Sequence, residues 1–287
     1  MKKIDELEIE ELVETFNNST YDVIKALEVS KKQQKAIIEQ AIKSISQGGS
    51  VYYIGAGTSG RIGLLDALDI ATTFGESNWF KYQISGGDKS VLTNNEETED
   101  DTSLAIKELE KLNLMPNDFI IGMSASGTTK YVYEAILFAK DKGCKTALIC
   151  SICNSNISKI VDFELALKTG TELIEGSSRL KAATALKIAL NNISTISAIK
   201  LGKVYNGLMV GLKPNNIKTY TRCLNMISTI ANCDIDEAEK FFKASEENVS
   251  LAIIMKVKNV SLDMAKKLFV TSNSQQGSYG NLRKIIG

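Results

Sequence analysis

The feature that most constrains the fold is a change of period near residue 50. Up to residue 48 the apolar residues recur at helical spacing, as at Ile37, Ile38, Ile42 and Ile45, and Gly48-Gly49 supplies a stop. Beyond it, short apolar runs alternate with helical stretches. The runs cover 50–55, 80–85, 118–123 and 145–150, with a shorter one near 161–165. Helical patterns at 61–73, through Leu112 and at 131–142 lie between them. Strands this apolar need cover on both faces, and strand–helix alternation supplies it through parallel crossovers. The expected fold is therefore α/β, an αβα sandwich around a five-stranded parallel sheet.

The chain becomes helical throughout after Gly176, with one long periodic stretch from Ser178 to Leu201. Pro214-Asn215-Asn216 breaks the pattern, and several short helices follow to about Leu268. The expected organisation is an N-terminal helical segment (1–48), a central domain that includes the long helix (49–215), a small helical appendage (216–273) and a flexible tail (274–287). No internal repeat stands out.

Three Ser/Thr/Gly-rich turns carry the chemistry. Gly55-Ala56-Gly57-Thr58-Ser59-Gly60 matches G-x-G-x-x-G, a pattern shared with dinucleotide sites. Such a site wants an acidic ribose hook about 20 residues on, at the end of the second strand. Asp69 falls mid-helix instead, and Asp88 falls beyond the strand. Free N–H groups at a helix start, with the Thr58 and Ser59 hydroxyls, suit a compact phosphate or sugar hydroxyls. The second turn holds Ser124, Ser126, Thr128 and Thr129 around Gly127, four hydroxyls in six residues between a strand and a helix. One of them would cap the helix, and together they make a phosphate cradle with Lys130 as a supplementary charge. No lysine stands in P-loop register. The third turn, Gly176-Ser177-Ser178-Arg179-Leu180-Lys181, puts two cations where the helix dipole disfavours them. A bound anion or a salt bridge would account for them. The acidic run Glu96 to Asp101 has the composition of a solvated helix start.

Composition then excludes mechanisms. The 287 residues include no histidine, so no Ser-His-Asp triad, His-Cys dyad or His-ligated zinc can form. Acid–base work falls to carboxyl, Lys, Tyr, Cys or water. The 34 basic and 34 acidic residues balance, which gives no footprint for nucleic acid or an anionic membrane. Cys150 and Cys153 form a lone C-x-x-C without the further ligands a zinc site needs. It is a redox pair or two small residues at the end of a buried strand. A lysine pair followed by an acidic amphipathic stretch is not a secretory signal, and the expected location is cytoplasmic.

Collinear segments resemble the N-acetylmuramic acid 6-phosphate etherase family, a branch of the sugar isomerase (SIS) fold that also holds the glucokinase regulatory protein. The matching residues are Ile54 to Arg61, Gly86-Gly87 with Glu96, Glu99 and Asp100, Ser124 to Gly127, Gly176 to Lys181 with Thr184 and Lys187, and Leu201 to Tyr205 with Leu208-Met209. The resemblance implies an SIS fold and a homodimer with a sugar 6-phosphate near the subunit interface. It also implies cofactor- and metal-independent cleavage of the lactyl ether by elimination and water addition. The family's two catalytic acids fall on Glu99 and on Asp69, which stands where the family has Glu. Phosphate and sugar hydroxyls fall to Gly57, Thr58, Ser59, Ser124, Ser126, Gly127, Thr128, Thr129, Ser177 and Ser178, with charge from Arg179 and Lys181. A non-catalytic sugar-phosphate-binding regulator of the same branch and a sugar-phosphate isomerase are the alternatives.

Overall fold

A computed structural model describes residues 3–93, 96–272 and 281–287, the Glu96 side chain excepted. Helices α1 (Ile9–Val29) and α2 (Lys31–Ser46) lead into β1 (Val51–Gly55), α3 (Gly57–Phe74), β2 (Phe80–Ile84) and the single turn α4 (Lys89–Leu92). A 3-10 turn at Glu96–Glu99 precedes α5 (Thr102–Glu110), β3 (Phe119–Met123), α6 (Lys130–Asp141), β4 (Lys145–Cys150), β5 (Phe163–Ala166) and α7 (Lys181–Lys200). Helices α8 (Ile217–Ala231), α9 (Ile235–Ala244), α10 (Val249–Lys258), α11 (Leu262–Thr271) and α12 (Leu282–Ile286) complete the chain.

The five strands are all parallel in the order β2-β1-β3-β4-β5. Strand periodicity sorts side chains between the faces. Val51 and Tyr53 of β1 enter a core with α2, α3 and α7, whereas Tyr52 and Ile54 pack among residues of α5 and α6. Both faces are covered, as the uninterrupted apolar runs require. Chain direction along the sheet reverses between β1 and β3, so the loops after these two strands diverge and leave a crevice at their C-terminal ends.

A separate core holds α8 to α12 together and recruits Tyr205, Val210 and Leu212 from the segment before them. It contains a repeat that the bare sequence hides. Asp234-Ile235-Asp236-Glu237-Ala238-Glu239-Lys240-Phe241-Phe242 and Ser261-Leu262-Asp263-Met264-Ala265-Lys266-Lys267-Leu268-Phe269 begin α9 and α11 alike. After each, a serine returns to the preceding helix: Ser245 Oγ donates to the Phe242 carbonyl at 2.8 Å, and Ser272 Oγ to the Phe269 carbonyl at 2.7 Å. Each serine also accepts the backbone N–H of an asparagine, Asn248 or Asn281, that caps the next helix. The spacer between serine and asparagine differs in length, which masks the correspondence in one dimension.

The amino-acid pattern predicts a flexible tail over 274–287. Residues 274–280 lie outside the described residues, but 281–287 are docked. Leu282 is buried, and the Tyr205 hydroxyl donates to the Gly287 carbonyl at 2.8 Å. The apolar side chains of α12 fill the second core, which is the physical reason this segment is ordered.

Candidate functional site

The crevice between the β1 and β3 loops is a cleft of about 620 Å³. Its floor is built from the first two of the hydroxyl-rich turns. Helix α3 begins at Gly57, inside the glycine motif, and Ala56 at its N-cap position has no side-chain hydrogen bond to give it. Gly57 has φ +49°, which favours glycine, and Thr58 and Ser59 line the cleft from the first turn. The β3 loop contributes Ser124, Ser126 and Thr129. Its hydroxyls bond to one another: Ser124 Oγ lies 2.8 Å from Thr129 Oγ1, and Ser126 Oγ 2.8 Å from Thr128 Oγ1. The expected side-chain cap on α6 is therefore absent, because Thr129 makes no capping bond. The starts of α3 and α6 and a set of hydroxyls converge on one space. Backbone N–H groups at helix starts and neighbouring hydroxyls are donors of the kind an anion uses.

Glu99 enters from the turn after β2. Its Oε1 lies 2.9 Å from the point a Cβ on Gly57 would occupy, so the carboxylate rests against the start of α3. Two devices hold this turn. Ser85 Oγ donates to the Thr98 carbonyl at 2.7 Å. Arg61 donates to the carbonyls of Val91 (3.1 Å), Ser90 (3.1 Å) and Thr93 (2.8 Å), and so anchors the segment that leads to Glu99. Sequence pattern does not mark Arg61 as a site residue, although it closes the first motif.

Asp69 is placed elsewhere. It is exposed on the outer face of α3 beside Leu65 and Leu68. Twelve residues of helix separate it from Gly57, about 18 Å along the axis at 1.5 Å per residue. Glu99 and Asp69 of one chain therefore cannot act on a single sugar. The buried acid of α3 is its neighbour Asp66, which accepts from Asn191 Nδ2 at 2.7 Å and Ser194 Oγ at 3.1 Å. Burial pushes its carboxyl above the usual range, against the lowering pull of those hydrogen bonds.

The third turn also differs from expectation. Helix α7 opens at Lys181 rather than Ser178, because the Glu172 carboxylate caps it: Oε2 accepts from Lys181 N at 3.1 Å and Oε1 from Ala182 N at 2.9 Å. The Lys181 ammonium is buried and pairs with Asp22 of α1 at 2.8 Å. The two cations at this helix start thus part company: Lys181 is a clamp for α1, and Arg179 lines the cleft with Ser178 and Glu172. Gly127, Thr128, Ser177 and Lys181 do not line it. Gly127 instead fits φ +65° against the Ser155 side chain, where a Cβ has no room. Lys130 pairs with Asp100 at 3.3 Å, outside the cleft. The acidic run starts α5 as its composition suggests, with Asp101 accepting from Leu104 N at 3.0 Å. Glu172 has no sequence signal, since its place depends on the β5–α7 connection folding back over the sheet.

Among the described residues, no group of three or more His, Cys, Asp or Glu could hold a metal ion. Burial pushes the Cys150 thiol up to about 12, and its Sγ donates to the Ile152 carbonyl at 2.9 Å. Such a thiol is a weak redox nucleophile, which favours the buried-strand reading of the C-x-x-C. Among the described residues no helix is long and apolar enough to cross a membrane.

Residues 33–140 match the glucokinase regulatory protein N-terminal SIS domain. Among solved structures, a phosphoheptose isomerase from Francisella tularensis superposes with a TM-score of 0.51 at 15% identity, over 65% of this chain and 98% of that one, a likeness of fold. The N-acetylmuramic acid 6-phosphate etherase of Exiguobacterium is 38% identical over 94% of this chain and 92% of its own. That of Listeria welshimeri is 40% identical over 99% of this chain and 92% of its own. With a five-stranded parallel sheet of the SIS type and relatives this similar along nearly its whole length, the chain belongs to the N-acetylmuramic acid 6-phosphate etherase family.

Proposed function

We propose that the protein is a carbon–oxygen lyase that cleaves N-acetylmuramic acid 6-phosphate to N-acetylglucosamine 6-phosphate and D-lactate. The observation that carries this reading is the Glu99 carboxylate held against the start of α3, in the same cleft as the hydroxyl cradle. The phosphate sits at the start of α6, within reach of the Ser124, Ser126 and Thr129 hydroxyls and of Thr58 and Ser59 across the cleft, while Glu99 occupies the start of α3. With the sugar in its open-chain form, the C1 aldehyde acidifies the C2 proton. One carboxyl removes that proton, the C2=C3 bond forms, and the C3–O bond breaks. The departing lactate oxygen takes a proton from the second carboxyl. Water then adds across the double bond and restores a C3 hydroxyl. Glu99 supplies one of these two carboxyl groups, and nothing in the sequence requires an imidazole, a metal or a cofactor.

Asp69 supplies the other only from a second copy. Support comes from its surroundings: α3 exposes Leu65 (47%) and Leu68 (51%) beside it, and α1 exposes Ile9 (80%) and Tyr21 (73%). Apolar faces of this kind mark association surfaces, and a homodimer with its sites near the interface is the assembly this reading requires. The setting is cytoplasmic, since a sugar phosphate carries too much charge to cross a bilayer unaided.

The test is D-lactate release from N-acetylmuramic acid 6-phosphate. Glu99→Gln should lower kcat by orders of magnitude and leave substrate binding in place. Glu99→Gln and Asp69→Asn chains, each inactive alone, should regain activity when mixed and allowed to exchange subunits. No lactate at high protein concentration, together with tight binding of the sugar phosphate, overturns the lyase reading. It would establish a non-catalytic sugar-phosphate regulator, the reading that the remoteness of Asp69 favours.

A further inference from the structure

The substrate of the proposed reaction carries two anionic groups, the 6-phosphate and the carboxylate of the lactyl arm on C3. The structure offers them unequal hosts. The floor of the cleft offers neutral donors to an anion, through the start of α6 and the hydroxyls of both loops, with Glu99 at the start of α3. Two cationic side chains line the cleft, Arg61 and Arg179. The Arg61 guanidinium is engaged with the carbonyls of Ser90, Val91 and Thr93. Two nearby lysines are engaged as well, Lys181 with Asp22 and Lys130 with Asp100. The Arg179 side chain, among the described residues, has no ion-pair or hydrogen-bond partner, and it reaches the cleft from the β5–α7 connection rather than from the phosphate floor.

Glu172 decides how that wall can hold an anion. Its own carboxylate occupies the first amides of α7, two and three residues past Arg179. An incoming anion therefore finds the helix end filled and must be held by the Arg179 side chain. A planar guanidinium matches a carboxylate with two parallel hydrogen bonds.

We propose that Arg179 binds the carboxylate of the lactyl arm, and so selects sugar 6-phosphates that carry an acidic substituent on C3 over those that do not. This deepens the lyase reading and rests on it. It makes Arg179 a specificity residue and leaves the phosphate to the hydroxyl floor.

The experiment compares ligands with and without the arm. Arg179→Gln should lower kcat/KM for N-acetylmuramic acid 6-phosphate by about 100-fold, mostly through KM, as loss of a charged bidentate pair implies. It should leave the Kd for N-acetylglucosamine 6-phosphate within about threefold, since the hydroxyl-lined start of α6 still holds the phosphate. Arg179→Lys should recover part of the loss. Equal loss of affinity for both ligands makes Arg179 a phosphate ligand and overturns the proposal, as does no change in either. Failure of the lyase reading looks different: wild-type protein then yields no lactate. In that event, Kd values by calorimetry for the two ligands decide the matter. A preference for the lactyl sugar that Arg179→Gln abolishes upholds the proposal, and equal affinities in the wild type overturn it.

Discussion

Gly57→Ala perturbs the Glu99 carboxylate without altering any acidic group. The new Cβ would lie 2.9 Å from Glu99 Oε1, on a backbone at φ +49°. Unstrained contacts of this kind start near 3.4 Å, so the carboxylate must retreat by about 0.5 Å. Misplacement by about 1 Å costs roughly 10²-fold in rate, and half that distance about tenfold. The left-handed conformation adds about 1–2 kcal/mol of destabilisation, which corresponds to a fall in Tm of about 2–6 °C for a chain of this size. Gly48→Ala separates the two effects. Its φ is +82° and its Cβ would meet nothing within 4 Å, so it carries the backbone strain alone. Lactate release and thermal melts on both variants read the outcome. Both should melt earlier, and only Gly57→Ala should lose about tenfold in kcat with KM within about threefold, because its N–H is retained. A Gly57→Ala enzyme with wild-type kcat would refute the placement of Glu99 at the start of α3 as the working acid.

Two further outcomes follow from buried charges. Burial raises the Asp66 carboxyl, so its stabilising contribution is complete below the ordinary value of 3.8 and is lost as pH rises through the raised folded value. Asp66→Asn should therefore gain Tm relative to the wild type as pH increases through that window, and melts showing a gain that shrinks with pH would contradict the assignment. Asp22→Asn leaves the Lys181 ammonium, 7% exposed, without its counter-ion. The Asp22 side chain is 54% exposed, so the loss should be about 1–2 kcal/mol rather than that of a fully buried pair, and an unchanged denaturation midpoint would show that α1 is not clamped there.

Much of the sheet is legible in the amino-acid pattern. Strands β1 to β4 begin and end within a residue of their sequence limits, because an apolar run bounded by glycine or polar turns has few other fates in a doubly wound sheet. Strand β5 is offset by about two residues, since it is short and only partly buried at the edge of the sheet. The glycine motif and the Ser124–Thr129 loop are recognisable as hydroxyl-rich turns from local composition alone, and both reach the cleft. The repeat in the helical appendage is not, because its two spacers differ in length while the Ser–Asn bonds that define it are geometric.

Sequence alone determined the sheet, its crossovers and the hydroxyl-rich floor, all of which depend on periodicity and on neighbours a few residues apart. Tertiary structure decided which charges reach the cleft. Arg179 and Lys181 are two residues apart, yet one faces the ligand space and the other is buried against Asp22, 159 positions away. Glu99 and Asp69 both carry carboxyl groups that the family resemblance pairs, yet α3 holds them about 18 Å apart in one chain. The absence of histidine restricted the chemistry to carboxyl groups from the outset. Long-range packing decides which carboxyl meets the substrate, because a side chain's direction depends on contacts that sequence distance does not encode.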